Sequence, residues 1–121
     1  MSFHEALIFD SEQLPLALET REEDVLQDFY ALFQQQLDEL QAGLASATAL
    51  CDRANVRQLA HKLKSSSLAV GAIRLGEALA ALEESCLSWT DADIDVLIAD
   101  VIETSSLTAA AVRVRLQTTA P

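Results

Sequence analysis

The chain has 121 residues, half of them apolar, and a formal net charge of −11. This length and composition predict a single domain over residues 1–121, with a frayed tail at 118–121. The acidic balance argues against nucleic acid as the main partner. No apolar run approaches the roughly 20 residues of a membrane span, and residues 1–10 do not resemble a secretory signal. We therefore expect a cytoplasmic protein that does not bind membranes.

Five helical patterns follow one another along the chain, with little glycine or proline between them. The first is short and covers about residues 10–19, where Asp10 or Ser11 could cap the helix and Pro15 lies near its first turn. Residues 20–23 have the pattern of a capping box at the start of a long second helix. The apolar residues of that helix are Leu26, Phe29, Tyr30, Phe33, Leu37, Leu40, Leu44 and Ala47. Positions 26, 33, 40 and 47, and positions 30, 37 and 44, repeat every seven residues, which predicts packing in a bundle.

The third pattern begins at Asp52, a residue suited to the N-cap, and runs to about Val70, where Gly71 can end the helix. A fourth helix has one apolar face: Leu75, Leu79, Leu82, Cys86 and Trp89. Residues 90–93 resemble a cap for the last helix, whose apolar pattern weakens around residues 104–108. Short connections between these helices predict an all-α fold, an antiparallel up-down four-helix bundle with a short additional N-terminal helix.

The residue types that make enzymes and metal sites do not combine in this chain. Cys51 and Cys86 lie in helical patterns without a CxxC spacing, so we interpret both as buried small apolar residues. His4 and His61 are far apart, and we expect neither a metal site nor a cofactor. Nucleotide-binding and hydrolase motifs are missing from the sequence. The chain is therefore not expected to be an enzyme.

The positive charges are concentrated in one part of this acidic chain. Residues 53–74 contain no acidic residue, so a net charge of −16 falls on the rest of the chain, and they contain five cations: Arg53, Arg57, Lys62, Lys64 and Arg74. Such a segment suggests that an anion is bound there. Chance clustering on a solvated helix face explains the charges equally well.

His61 lies outside the apolar stripe of the third helix when successive residues are placed about 100° apart. The stripe itself consists of Val56, Leu59, Ala60, Leu63, Ser67 and Val70. His61 is therefore predicted to be exposed. Four residues share its side of the helix: Arg57, Lys64, Ser65 and Leu68. An apolar Leu68 on this side suggests a docking face, although single exposed leucines are common.

A chain reversal at residues 71–72 would place His61 opposite Glu83, because both are equally distant from position 72. A carboxylate that accepts one imidazole N–H fixes the tautomer and leaves the other nitrogen as a nucleophile. The alternative is that Glu83 is an ordinary surface residue. Lys64, one turn from His61, could neutralise a phosphoryl oxygen or could be a solvated lysine.

The segment from Ala60 to Ala72, AHKLKSSSLAVGA, resembles the signature of histidine-containing phosphotransfer (HPt) domains. The resemblance extends from Asp52 to about Glu84, and the flanking helices agree with the family in length and order. One departure is Ser65, where many members of the family have glycine. Since serine is also small, we expect altered access to His61 and not a loss of function.

The resemblance implies a phosphorelay intermediate of two-component signal transduction. In that role, His61 is the phosphoacceptor, which takes a phosphoryl group from an aspartate of a receiver domain and passes it to a response regulator. Lys64 would stabilise the phosphoryl group and Glu83 would orient His61. The expected partners are receiver domains of a hybrid histidine kinase or of a response regulator. Mg²⁺ is expected on the receiver domain, and the HPt domain itself is expected to be a monomer. Three residues are expected to contact the partner: Arg57, Ser65 and Leu68.

Two other interpretations remain at this stage. The first is a helical adaptor or scaffold that binds receiver or kinase domains without being phosphorylated, but such a protein needs no His61 with Lys64 and Glu83. The second is the dimerisation and phosphoacceptor part of a histidine kinase. The sequence contains no ATP-binding domain, so we expect a freestanding module.

Overall fold

A computed structural model describes residues 6–88 and 90–118, without the side chains of Asp91 and Thr118. In these residues the chain forms helices and no strand, which confirms the predicted all-α class. The elements are α1 (Gln13–Leu18), α2 (Glu23–Ala49), α3 (Arg53–Val70), α4 (Ile73–Ser85) and α5 (Asp91–Thr118). No helix within the described ranges is long and apolar enough to cross a bilayer.

Helices α2 to α5 form the predicted four-helix bundle. Both α3 and α5 pack against α2 and α4, so α3 and α5 lie diagonally across the bundle, while α1 packs against α3. On α2, Gln34 donates a hydrogen bond to the backbone oxygen of Ala109, and Gln41 donates one to Ser105 Oγ. The later residue of α2 bonds to the earlier residue of α5, so the two helices are antiparallel. The short turns between the other helices complete an up-down topology.

The heptad pattern of α2 predicts its buried face. The buried residues of this helix are Leu26, Tyr30, Phe33, Leu37, Leu40, Leu44 and Ala47, which are the positions that repeat every seven residues. Phe29 is an apolar residue outside this repeat, and 44% of it is exposed. It lines a groove between α1, α2 and α3.

The polar middle of α5 is part of the core. Thr104, Ser105 and Thr108 are all buried. Thr108 Oγ1 donates to the backbone oxygen of Thr104 at 2.8 Å, and Ser105 Oγ donates to that of Ile102 at 2.7 Å. Hydroxyls that bond to their own helix can be buried at little cost. The weak apolar pattern at residues 104–108 therefore reflects buried hydroxyl groups at the contact with α2. The helix itself is not interrupted there.

Two predicted helix starts are confirmed by their caps. The side chain of Asp52 accepts a hydrogen bond from the Asn55 N–H at 3.1 Å, as expected of the N-cap of α3. Thr90 Oγ1 accepts from the Asp93 N–H at 3.3 Å at the start of α5. Both caps satisfy amide groups that have no partner within the helix.

The two other predicted starts are wrong in detail. The capping box does not form, because Thr20 Oγ1 accepts from the Glu22 N–H and α2 begins only at Glu23. Similarly, Asp10 Oδ1 accepts a hydrogen bond from the N–H of Glu12, and Glu12 is the N-cap residue of α1. In both cases the side chain closes a turn ahead of the helix and so cannot reach the first turn of the helix.

The two cysteines differ in exposure. Cys86 is buried as predicted, but Cys51 is exposed and has a positive φ of 54°. The Asp52 N–H donates to the Ala47 oxygen at 2.9 Å and the Cys51 N–H donates to the Thr48 oxygen at 3.2 Å, a pattern that ends α2 through a left-handed residue. This geometry turns Cys51 outward. His4, Trp89 and residues 119–121 of the predicted tail lie outside the described residues.

The turn between α3 and α4 depends on Gly71, which ends α3 as predicted with a φ of 97°. The segment before α1 packs on this turn, since the Asp10 N–H donates to the Gly71 oxygen and the Arg74 N–H donates to the Leu7 oxygen. A Cβ atom at Gly71 would overlap the carbonyl oxygen of Asp10. Glycine is therefore required both by the backbone angle and by the packing.

Replacing Gly71 with alanine should lower the free energy of unfolding by about 2–4 kcal/mol, since the left-handed angle and the clash both add cost. Urea unfolding followed by circular dichroism measures this change. Gly43→Ala is the matched control: its Cβ meets only the flexible end of Leu59, at 2.9 Å. The control should stay within about 1 kcal/mol of wild type. Equal losses in the two variants would contradict the proposed importance of the turn.

Candidate functional site

His61 lies near the middle of α3 with 71% of its side chain exposed. Its helix neighbours Ala60 and Leu63 are buried in the core. The backbone that carries the imidazole is thus anchored, while the ring is open to solvent on the side that the apolar stripe predicted. A reagent or a partner protein can reach this ring without any rearrangement of the bundle.

Glu83 of α4 contacts the histidine ring across the helix pair. Its Oε1 lies 2.8 Å from His61 Nδ1, and only 17% of the Glu83 side chain is exposed. Hydrogen bonds from Lys64 and then from His61 lower the pKa of this carboxyl group, so it is ionised near neutral pH and can only accept. The Nδ1 atom must therefore carry the proton, which leaves the lone pair of a neutral ring on Nε2.

Lys64 binds the second oxygen of the same carboxylate, with its Nζ 2.8 Å from Glu83 Oε2. This contact was not predicted from the sequence, which suggested either a role at a phosphoryl oxygen or a solvated lysine. In the structure the amine lies on the α4 side of His61, where it offsets the charge of Glu83. His61, Glu83 and Lys64 are therefore one connected network, which we call the His–Glu–Lys network.

Close packing of α3 on α4 makes this network possible. A Cβ atom at Gly76 would lie 2.5 Å from Leu68 Cδ2, so the absence of a side chain at Gly76 lets the leucine settle on α4. Leu68 is 39% exposed and also packs within the hairpin. The sequence reasoning missed Gly76, although a glycine inside a helical pattern is a known sign of close packing.

The five cations of the basic segment do not converge on one point. Arg53 and Arg74 donate to backbone carbonyls of neighbouring segments. Lys64 belongs to the His–Glu–Lys network, whereas Arg57 and Lys62 are exposed on α3. Of the segment expected to bind an anion, Arg57 and Lys64 are the cations that share the side of α3 with His61. Ser65 is also exposed, one turn beyond the histidine.

An apolar groove beside the site was not predicted. It has a volume of about 170 Å³ and lies between α1, α2 and α3, with Leu18, Phe29, Leu32, Gln36, Ser66 and Ala69 among its lining residues. Leu32 is 52% exposed. Because Ser66 and Ala69 belong to α3, the groove continues the surface around His61. Phe29, an apolar residue of α2 outside the heptad repeat, was the available signal.

The model of the Hpt domain family matches residues 24–113, which is most of the chain and includes the whole His–Glu–Lys network. The chain belongs to the Hpt domain family. Hpt domains act as phosphocarriers in two-component phosphotransfer, in agreement with the resemblance seen in the sequence. No curated protein and no solved structure gives a significant match. The described part of this Hpt domain contains no group of three or more His, Cys, Asp or Glu residues that could hold a metal ion.

In the Lys64→Met variant, the pKa of the Glu83 carboxyl group should rise towards its usual value, because the Lys64 hydrogen bond is the largest cause of its lowering. A carbon-detected NMR titration of the side-chain carboxyls measures this pKa. Lys62→Met is the control, since Lys62 lies on another side of α3, and it should leave the Glu83 pKa unchanged.

The sign of the pH dependence follows from the same shift. A carboxyl whose pKa is lowered in the folded state stabilises the fold above its unfolded pKa and loses this contribution as the pH falls through the folded value. The contribution of Glu83 to the His–Glu–Lys network should therefore be present at neutral pH and be lost as the pH falls into the acid range. An identical Glu83 pKa in wild type and Lys64→Met would show that the amine does not act on this carboxylate.

Proposed function

We propose that this Hpt domain is a phosphorelay intermediate that accepts a phosphoryl group on His61 Nε2 from a receiver-domain aspartate and passes it to a response regulator. The observation that carries the proposal is the exposed imidazole whose Nδ1 is held by Glu83. An acceptor on Nδ1 directs the free lone pair to Nε2, on a side chain that is 71% exposed. The proposal places the domain in the cytoplasm as a monomer.

The transfer needs little chemistry from the chain itself. The lone pair of Nε2 attacks the phosphorus of the aspartyl phosphate, the N–P bond forms, and the P–O bond to the aspartate breaks with the electron pair leaving on the carboxylate. The proton stays on Nδ1 and the ring becomes cationic. Glu83 then faces a positive ring, which stabilises the product. Transfer to the next aspartate reverses these steps.

Electrostatics and positioning account for most of the catalysis of phosphoryl transfer. The receiver domain is expected to supply Mg²⁺, and this chain supplies the cation of Lys64. The long lysine side chain can turn from Glu83 towards a phosphoryl oxygen, while Glu83 keeps its hydrogen bond to His61. Lys64 would thus offset charge on the phosphoryl group only when that group is present.

A receiver must bring its aspartate within bonding distance of His61, so it has to cover the surface around this residue. Arg57 and Lys64 can attract the acidic pocket of a receiver and orient it. Leu68 lies on one side of the histidine, and the groove beside Leu32 continues the apolar surface on the other. We propose that the receiver docks across both, with the small Ser65 allowing close approach.

The decisive experiment incubates the purified domain with a ³²P-labelled receiver and tests for label that is labile in acid and stable in base. Wild type should acquire such label and His61→Gln should acquire none. Glutamine retains an N–H donor for Glu83 and the site is exposed, so the free energy of unfolding should change by no more than about 1 kcal/mol. Label on a folded His61→Gln variant at the wild-type rate would exclude His61 as the carrier.

Docking is tested by Leu32→Asp, which should weaken receiver binding by about 1–3 kcal/mol in isothermal titration calorimetry because a buried apolar contact is lost. Leu107→Asp is the matched control. Leu107 is 48% exposed, close to the 52% of Leu32, but it lies on α5, diagonally across the bundle from α3. The control should bind with wild-type affinity. Equal affinities of the two variants would place the docking surface elsewhere.

A further inference from the structure

The hydroxyl of Ser65 has no role within the bundle. On other helical residues, the hydroxyls of Thr48, Ser67 and Thr108 donate to the carbonyl oxygen four residues earlier, at 2.7 to 2.8 Å. Ser65 is exposed and makes no hydrogen bond to any part of the chain that the structure describes. Its O–H is therefore available to a group that arrives from outside the helix, one turn from His61.

The His–Glu–Lys network fixes one side of the His61 ring. Glu83, which is itself bound by Lys64, holds Nδ1 on the α4 side of His61 and leaves Nε2 on the side of the ring away from this carboxylate. At 100° per residue, Ser65 lies on the opposite side of His61 from Lys64. Side chains four residues apart have Cβ atoms about 5–6 Å apart, and the Cα–Cβ bond of the later residue leans back towards the earlier one. We therefore expect a group on Nε2 to extend over Ser65.

We propose that Ser65 Oγ–H donates a hydrogen bond to an oxygen of the phosphoryl group on His61 Nε2 and thereby prolongs the lifetime of the phosphohistidine. This inference rests on the proposed function of His61. Hydrolysis breaks the N–P bond, returns its electron pair to Nε2 and forms a P–O bond to water. The transition state is loose, and the transferring group resembles metaphosphate, which carries less charge than the bound phosphoryl group.

A hydrogen bond to the phosphoryl oxygens is therefore stronger before the reaction than in its transition state. An interaction that favours the ground state over the transition state slows the reaction. Ser65 thus binds the phosphoryl group. Its hydroxyl, and not only its small size, determines how long the domain stays phosphorylated between donor and acceptor.

The test uses the whole purified chain, phosphorylated chemically with phosphoramidate so that no partner protein is needed. The loss of phosphohistidine is followed by ³¹P NMR in wild type, Ser65→Ala, Ser65→Thr and Ser46→Ala. Removal of the hydroxyl in Ser65→Ala should shorten the lifetime by about 3- to 10-fold, as expected for loss of one hydrogen bond to a charged group. Ser65→Thr retains a hydroxyl and should behave as wild type, and so should the control Ser46→Ala, which removes an exposed hydroxyl from α2.

A Ser65→Ala lifetime equal to or longer than that of wild type would overturn the inference. So would a Ser65→Thr lifetime as short as that of Ser65→Ala, or a wild-type chain that takes no phosphoryl group on His61. The proposed function fails by a different result, namely a stable phosphohistidine that no receiver domain accepts. The lifetimes are measured without a receiver, so the two failures are distinguished.

Discussion

The carboxylate of Glu83 joins the two central helices of the site. It accepts hydrogen bonds of 2.8 Å from His61 Nδ1 and from Lys64 Nζ, which both project from α3. This one group determines which nitrogen of the imidazole carries the proton and how the ring is oriented. It also binds the nearest cation, the amine of Lys64. Since the side chain is only 17% exposed, solvent screens these interactions less than at an open surface. Everything proposed for the chemistry of His61 depends on this carboxylate.

Glu83 reaches His61 because the hairpin brings α3 and α4 close together, and two glycines contribute in different ways. Gly71 takes the backbone angle that reverses the chain, and it leaves room for the segment around Asp10. Gly76 leaves room for Leu68 on α4. The core of the bundle packs against the inner face of this hairpin. Because α5 lies diagonally opposite α3, the stabilising core and the reactive surface are largely separate.

Much of this could be predicted from the sequence, because helix periodicity and chain reversal are local. The exposure of His61 follows from the spacing of about 100° per residue along the helix. Its position opposite Glu83 follows because both residues are equally distant in sequence from the turn. The contact of Lys64 with Glu83 does not follow from the sequence, because it depends on how closely α4 packs against the lysine side chain. The heptad repeat identified the buried residues of α2, but periodicity cannot tell how far the short α1 covers Phe29, which lies outside the repeat. The outward turn of Cys51 depends on helix-end geometry, which has no signal in composition.

The most direct test of the central claim is ¹⁵N NMR of the His61 ring before and after phosphorylation. If Glu83 accepts from Nδ1, the neutral ring should be the Nδ1–H tautomer and the phosphoryl group should be bonded to Nε2. Glu83→Ala should then lose the tautomer preference while the fold remains. An Nε2–H tautomer in the unmodified protein, or a phosphoryl group on Nδ1, would contradict the account.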